Sequence, residues 1–211
     1  MTTVNSNMNW SPTLPLIAIL RGITPGETVA HVGALVALGF DTIEIPLNSP
    51  DWRISIKLAV DHFGERVWIG GGTVLSTQEV DTLQHLGARL IVAPNTRTAV
   101  IRHAVDRNLT MIPGVATPTE AFDALEAGAP ALKVFPALAV GAGFVRALRA
   151  VLPPVPLYAV GGITPENLGV FIGAGAAGAG LGSDLYRPQQ PVSRTESMAR
   201  AYLQAFREAP Q

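Results

Sequence analysis

Among the 211 residues there is no cysteine, which removes disulfides, thiolate metal sites and cysteine nucleophiles together and gives no hint of an oxidising compartment. Charge is also scarce: only 15% of residues are charged and the formal net charge is −1. No run of Lys or Arg offers the basic stripe that a nucleic-acid backbone or an anionic membrane surface would need. No stretch reaches the roughly 18 apolar residues free of charges and breakers that a membrane span requires. Through about Pro12 the chain is polar, with neither a basic start nor an apolar core. Residues 1–13 are therefore expected to form a flexible arm and not a signal peptide, and the cytoplasm is the simplest location. The surplus is apolar: 48% of residues are hydrophobic and the mean hydropathy is +0.31. That suits strands covered on both faces, and an oligomer that hides part of its surface.

From Leu14 onward, short runs rich in Val, Ile and Leu alternate with longer amphipathic runs, joined by Gly, Pro, Asn, Ser and Thr. The alternation predicts strands near 16–20, 42–47, 67–70, 90–93, 110–112, 131–135, 157–160 and 178–181. Helices should start near Thr24-Pro25, Ser49-Pro50, Ser76, Thr96, Thr117-Pro118, Gly143 and Thr164-Pro165, with a last one ending the chain. Several starts pair a Ser or Thr cap with a first-turn proline, and Glu27, Glu120 and Glu166 sit in first turns, where the helix dipole favours anions. Gly39, Gly87, Gly128 and Gly175 mark helix ends just before a strand. About eight alternations in this length predict one α/β domain over 14–211, a (β/α)8 TIM barrel.

In such a barrel the active site collects at the C-terminal ends of the strands. Arg21, Glu44, Thr73, Asn95 and Lys133 fall there. Lysine is rare, Lys57 and Lys133 standing against thirteen arginines, and Lys133 interrupts an apolar strand. Burial there would lower its pKa, and a neutral amine is what attacks a ketone to form a Schiff base. Otherwise Lys133 is a structural lysine paired with a carboxylate. Glu44 breaks an apolar strand too and is the candidate proton carrier; as a plain salt-bridge partner of Lys133 it would explain its place equally well. Arg21 offers a planar fork for a carboxylate, while Thr73 and Asn95 either orient substrate oxygens or cap the next helix.

The late phrases A-V-G-G-I-T-P and G-L-G-S-D-L-Y read as a phosphate cradle, built from Gly161, Gly162 and a short helix opening at Ser183-Asp184. Alternatively, these glycines only supply tight turns. His31, His62, His85 and His103 all fall in predicted helices with no metal-ligand spacing, so no metal is expected. No dinucleotide fingerprint, P-loop or catalytic triad occurs, and no cofactor is implied.

The phrases I-E-I-P-L-N-S-P, G-G-T-V-L, A-P-N, P-G-V-A-T-P-T-E, A-L-K-V-F-P, V-G-G-I-T-P-E-N and G-L-G-S-D-L-Y together resemble the 2-keto-3-deoxy-6-phosphogluconate/galactonate aldolases, in order and spacing, from about Pro15 to Ala205. The resemblance implies a homotrimeric, metal-independent class I aldolase that cleaves a phosphorylated 2-keto-3-deoxy sugar acid to pyruvate and glyceraldehyde 3-phosphate. It implies Lys133 as the Schiff-base residue and Glu44 as general acid/base. Arg21, Thr73 and Asn95 would hold the pyruvyl carboxylate, Phe135 would wall the pocket, and Gly161, Gly162 and Ser183 would meet the phosphate. Phosphogluconate members tend to carry an arginine shortly after the glutamate, where this chain has Pro46 and Asn48. That departure resembles the galactonate branch, so 2-dehydro-3-deoxy-6-phosphogalactonate is the expected substrate. The alternatives are the phosphogluconate epimer, or a non-covalent phosphosugar isomerase or binding barrel.

Overall fold

The computed structural model describes residues 10–210. Its elements run β1 (Leu16–Ile19), α1 (Pro25–Ala37), β2 (Thr42–Pro46), α2 (Trp52–Phe63), β3 (Trp68–Gly72), α3 (Thr77–His85), β4 (Leu90–Val92), α4 (Thr98–Asp106), β5 (Thr110–Ile112), β6 (Gly114–Val115), α5 (Pro118–Glu126), β7 (Leu132–Val134), α6 (Ala137–Val140), α7 (Ala142–Val151), β8 (Leu157–Val160), α8 (Pro165–Ile172), β9 (Gly178–Leu181) and α9 (Val192–Glu208). All strand pairs are parallel, in the order β5-β4-β3-β2-β1-β9-β8-β7-β6. The two ends of that order, β5 and β6, are halves of one strand interrupted at Pro113. Proline has no N–H to give to the ladder, yet its carbonyl still accepts from Lys133 N–H at 2.9 Å. The sheet is thus the expected (β/α)8 TIM barrel, with its fifth strand counted as two.

Alternation along each strand sorts the side chains into two cores. Leu16, Ala18, Ile43, Ile45, Leu132, Val134, Leu157 and Ala159 face outward into the layer between sheet and helices. Ile17, Ile19, Leu90, Val92, Ile112, Tyr158 and Val160 face into the barrel. Glu44 and Lys133 each lie between two outward residues of their strand, so the same period turns both inward.

Local signals explain most boundaries. Ser76 Oγ accepts from Glu79 N–H and Glu79 Oε2 accepts from Ser76 N–H, a reciprocal cap of the kind worth about 1 kcal/mol. Gly39, Gly87, Gly128 and Gly175 all take positive φ, between 83° and 102°, as residues that end a helix in the left-handed region do. Three boundaries differ from the sequence reading. At α2, Asp51 adopts φ 45°, so Ser49-Pro50 belong to a turn and the helix starts later. Thr96 spends its hydroxyl on the Gly114 carbonyl at 2.9 Å, and α4 starts beyond it. The helix expected at Ser183-Asp184 is a single turn closed by Leu185 and Tyr186 N–H on the Gly182 carbonyl.

Of the arm expected over 1–13, residues 1–9 lie outside the described residues. From Trp10 the chain runs beneath the barrel: the Trp10 ring packs on Tyr158, centroids 5.3 Å apart, and Thr13 N–H donates to Asp41 Oδ2 at 2.6 Å. Among the described residues no helix is long and apolar enough to cross a membrane.

Candidate active site

Lys133 is 4% exposed and Glu44 1% exposed, both inside the barrel wall. Burial holds the Lys133 ammonium below the ordinary lysine pKa; the Glu44 carboxylate pulls the other way, and Arg21 adds to the lowering. Among the described residues, no ion pair within 4.0 Å joins Lys133 to Glu44. The Phe135 ring centroid lies 5.0 Å from Lys133 Nζ. A lysine buried without a carboxylate in contact is poorly suited to being charged.

Space for Glu44 comes from glycine. A Cβ on Gly72 would run into Glu44 Oε1, so the inward position of β3 beside the carboxylate admits no side chain. Glu44 Oε1 and Asn95 Oδ1 are buried with no hydrogen-bond partner among the described residues. Unpaired buried acceptors of this kind mark a place where a water or ligand group belongs.

Arg21, just past β1, is exposed, and two residues fix its fork. NH1 donates to Asn48 Oδ1 at 2.6 Å, and NH1 and NH2 lie 3.4 and 3.5 Å from Thr73 Oγ1. Thr73 itself holds φ 60°, a left-handed conformation that is unfavourable for a β-branched residue and recurs at functional positions.

A cavity of about 690 Å³ opens at this end of the barrel. Arg21, Lys133, Phe135, Gly161, Gly162 and Ser183 line it, which brings six of the sequence-derived residues to one wall. Glu44, Thr73 and Asn95 stand outside that wall, on or just beyond β2, β3 and β4. Gly161 and Gly162 take φ 98° and 77°, left-handed values that favour glycine. Asn167 locks their loop: its Oδ1 accepts from Thr164 N–H at 2.9 Å and its Nδ2 donates to the Gly162 carbonyl at 2.8 Å.

Sequence reasoning missed two charged members. Arg187 lines the cavity and is tied back by Nε to the Ser183 carbonyl at 2.9 Å; its signal was an arginine directly after G-S-D-L-Y. Asp184, placed by the sequence only at the opening of a short helix, also lines the cavity. A second tether runs from α1 to the loop after β9, where Glu27 Oε1 accepts from Gln189 N–H at 2.9 Å and from Tyr186 Oη at 3.3 Å. Among the described residues no cluster of three His, Cys, Asp or Glu could hold a metal ion.

The arrangement can form an imine at a buried amine, carry a proton at a neighbouring carboxylate, and receive anions at two ends, Arg21 on one side and the glycine loops on the other. Comparison with known proteins agrees. Residues 4–197 match the family model described as KDPG and KHG aldolase. The 2-dehydro-3-deoxy-6-phosphogalactonate aldolase of Escherichia coli (strain K12) is 58% identical over 97% of this chain and 100% of its own length. A probable 2-dehydro-3-deoxy-6-phosphogalactonate aldolase of Rhizobium meliloti (strain 1021) is 47% identical over 91% of each. A solved structure described as native KDPGal superimposes with a TM-score of 0.93 at 57% identity, covering 95% of this chain and 98% of its own. With a barrel, a buried lysine and these relatives in agreement, the chain belongs to the KDPG and KHG aldolase family.

Proposed function

We propose that this protein is a class I aldolase that cleaves 2-dehydro-3-deoxy-6-phosphogalactonate to pyruvate and D-glyceraldehyde 3-phosphate through a Schiff base on Lys133. The observation that carries the mechanism is a lysine 4% exposed, facing a cavity, with its pKa lowered by burial. The neutral amine adds to the C2 ketone, and loss of water from the carbinolamine gives an imine. The cationic imine accepts the electron pair of the C3–C4 bond when the C4 hydroxyl loses its proton. Glyceraldehyde 3-phosphate departs, the enamine takes a proton at C3, and hydrolysis releases pyruvate and the amine.

Glu44 carries the protons, its partnerless Oε1 accepting from the substrate hydroxyl or from a water. Its carboxylate also stabilises the cationic imine. Arg21, set by Asn48 and Thr73, holds the pyruvyl carboxylate with help from Thr73 and Asn95, and Phe135 walls the pocket. Gly161, Gly162 and Ser183 receive the phosphate, with Arg187 beside them.

The galactonate epimer is favoured by the I-E-I-P-L-N-S-P phrase: Asn48 occupies the region where an arginine would stand, and grips Arg21 instead. Side-by-side assays of the two C4 epimers test this choice. A kcat/KM at least tenfold higher for the galactonate compound is expected; equal or reversed values overturn the assignment.

We further infer a homotrimer in the cytoplasm, with 14–211 as one catalytic domain. The apolar side chains left exposed on the protomer, among them Leu138, Val151 and Val170, each near 60%, support burial between subunits.

A further inference from the structure

The two loops that form the proposed phosphate end of the cavity come from different strands, and one hydroxyl touches both. Tyr202 lies on α9 and is 0% exposed. Its Oη is 2.8 Å from the Ile163 carbonyl, directly after Gly161-Gly162, and 3.1 Å from Asp184 Oδ2, directly after Ser183. Ile163 and Asp184 line the cavity, whereas Tyr202 does not. A single hydroxyl hydrogen shared by two acceptors ties the loops to one point on α9. Burial and the Asp184 carboxylate both push the phenol's pKa up, so the hydroxyl keeps its proton to donate.

Each loop also has its own anchor. Asn167 holds the first through Thr164 N–H and the Gly162 carbonyl. Glu27 holds the second through Gln189 and Tyr186. Those anchors shape the loops individually; among the described residues, Tyr202 is the side chain that hydrogen-bonds to both.

We propose that Tyr202 is a positioning residue that sets the gap between the two glycine loops and so determines affinity for the substrate's phosphate, without touching substrate. The proposal rests on the phosphate assignment made above. Loss of the hydroxyl lets the loops move apart while the catalytic lysine, carried by β7 and not by either loop, keeps its surroundings.

Tyr202→Phe removes one oxygen and keeps the packing. The full-length variant and the wild type are compared on the phosphorylated substrate and on the same sugar acid without phosphate, with inorganic phosphate as a competitive inhibitor. First, the wild type must favour the phosphorylated compound; if it does not, the phosphate assignment fails by itself. Given that preference, Tyr202→Phe is expected to raise KM for the phosphorylated substrate by on the order of threefold to tenfold, the range set by one hydrogen bond. The inhibition constant of phosphate should rise in parallel, with kcat and the unphosphorylated KM within about twofold. Equal changes on both substrates, or none on either, overturn the proposal. Should Tyr202→Phe not fold, Asp184→Asn and Asp184→Ala make the same comparison, since both remove the charge and only Asn keeps an acceptor for the hydroxyl. The Ala variant is expected to bind phosphate several-fold more weakly than the Asn variant, and equal affinities would overturn the proposal.

Discussion

Replacing Lys133 by Met should abolish activity and at the same time make the protein more stable. Met has a flexible apolar side chain of similar length, so the packing against Phe135 is kept while the ionisable nitrogen is removed. Lys133 is 4% exposed and makes no ion pair within 4.0 Å with Glu44. The largest influence on it is burial, which the Glu44 carboxylate offsets only in part. A folded-state pKa below the unfolded value means that the unfolded chain binds the proton more readily, so at neutral pH the lysine lowers stability. Replacing a whole buried ion pair by apolar groups is often neutral or stabilising by about 1–4 kcal/mol, whereas removing one partner of a contacting pair costs about 3–5 kcal/mol. With no carboxylate in ion-pair contact among the described residues, Lys133 falls nearer the first case. The lost attraction to Glu44 works against the gain, leaving about 1–2 kcal/mol, or some 2–8 °C in Tm for a domain of this size. The sign also fixes the pH dependence. The deficit in the wild type is present below the folded pKa and fades as pH rises toward the model-peptide value of 10.5. Thermal and urea unfolding of both proteins at pH 7 and near pH 10 measure it. A Met variant less stable than wild type by more than about 1 kcal/mol, with no pH dependence, would make Lys133 a structural ion partner and refute the reasoning.

Gly72→Ala places a Cβ against the Glu44 carboxylate, and since displacement of a catalytic group by about 1 Å can lower the rate on the order of 100-fold, kcat should fall by about that factor; an unchanged kcat would remove Glu44 from the reaction. His31 is buried and its Nδ1 is 2.8 Å from Thr195 Oγ1. Burial lowers its pKa from 6.5, with Glu27 and the Gln190 backbone opposing. Its contribution to stability is therefore complete above pH 6.5 and is lost as pH falls toward the folded pKa. A His31→Gln variant should show a shallower loss of urea stability as pH falls below 6.5, and an identical slope would assign the acid limb to other groups.

Strands were legible because a two-residue period with both faces buried writes itself as apolar runs, and a charge within such a run can only point inward or be a mistake. Glu44 and Lys133 stood out for that reason. The break at Pro113 was not legible, because the Pro113 carbonyl still accepts from Lys133 N–H on the neighbouring strand and the sequence still reads as one strand. Ser183-Asp184 carried helix-start chemistry, yet the chain turns away after Tyr186. Contacts between distant residues were invisible. Arg21 meets Asn48 and Thr73, 27 and 52 residues away, and Tyr202 meets Ile163 39 residues away. Parallel pairing of neighbouring strands brings such groups together, and no local pattern encodes it.

The central claim is that Lys133 becomes covalently bound to substrate. Incubation with pyruvate and borohydride, followed by peptide mass spectrometry, tests it most directly. A reduced pyruvyl adduct on the peptide containing Lys133, absent without pyruvate and absent in Lys133→Met, is the result expected. An unmodified protein, or an adduct on Lys57 alone, would contradict the mechanism.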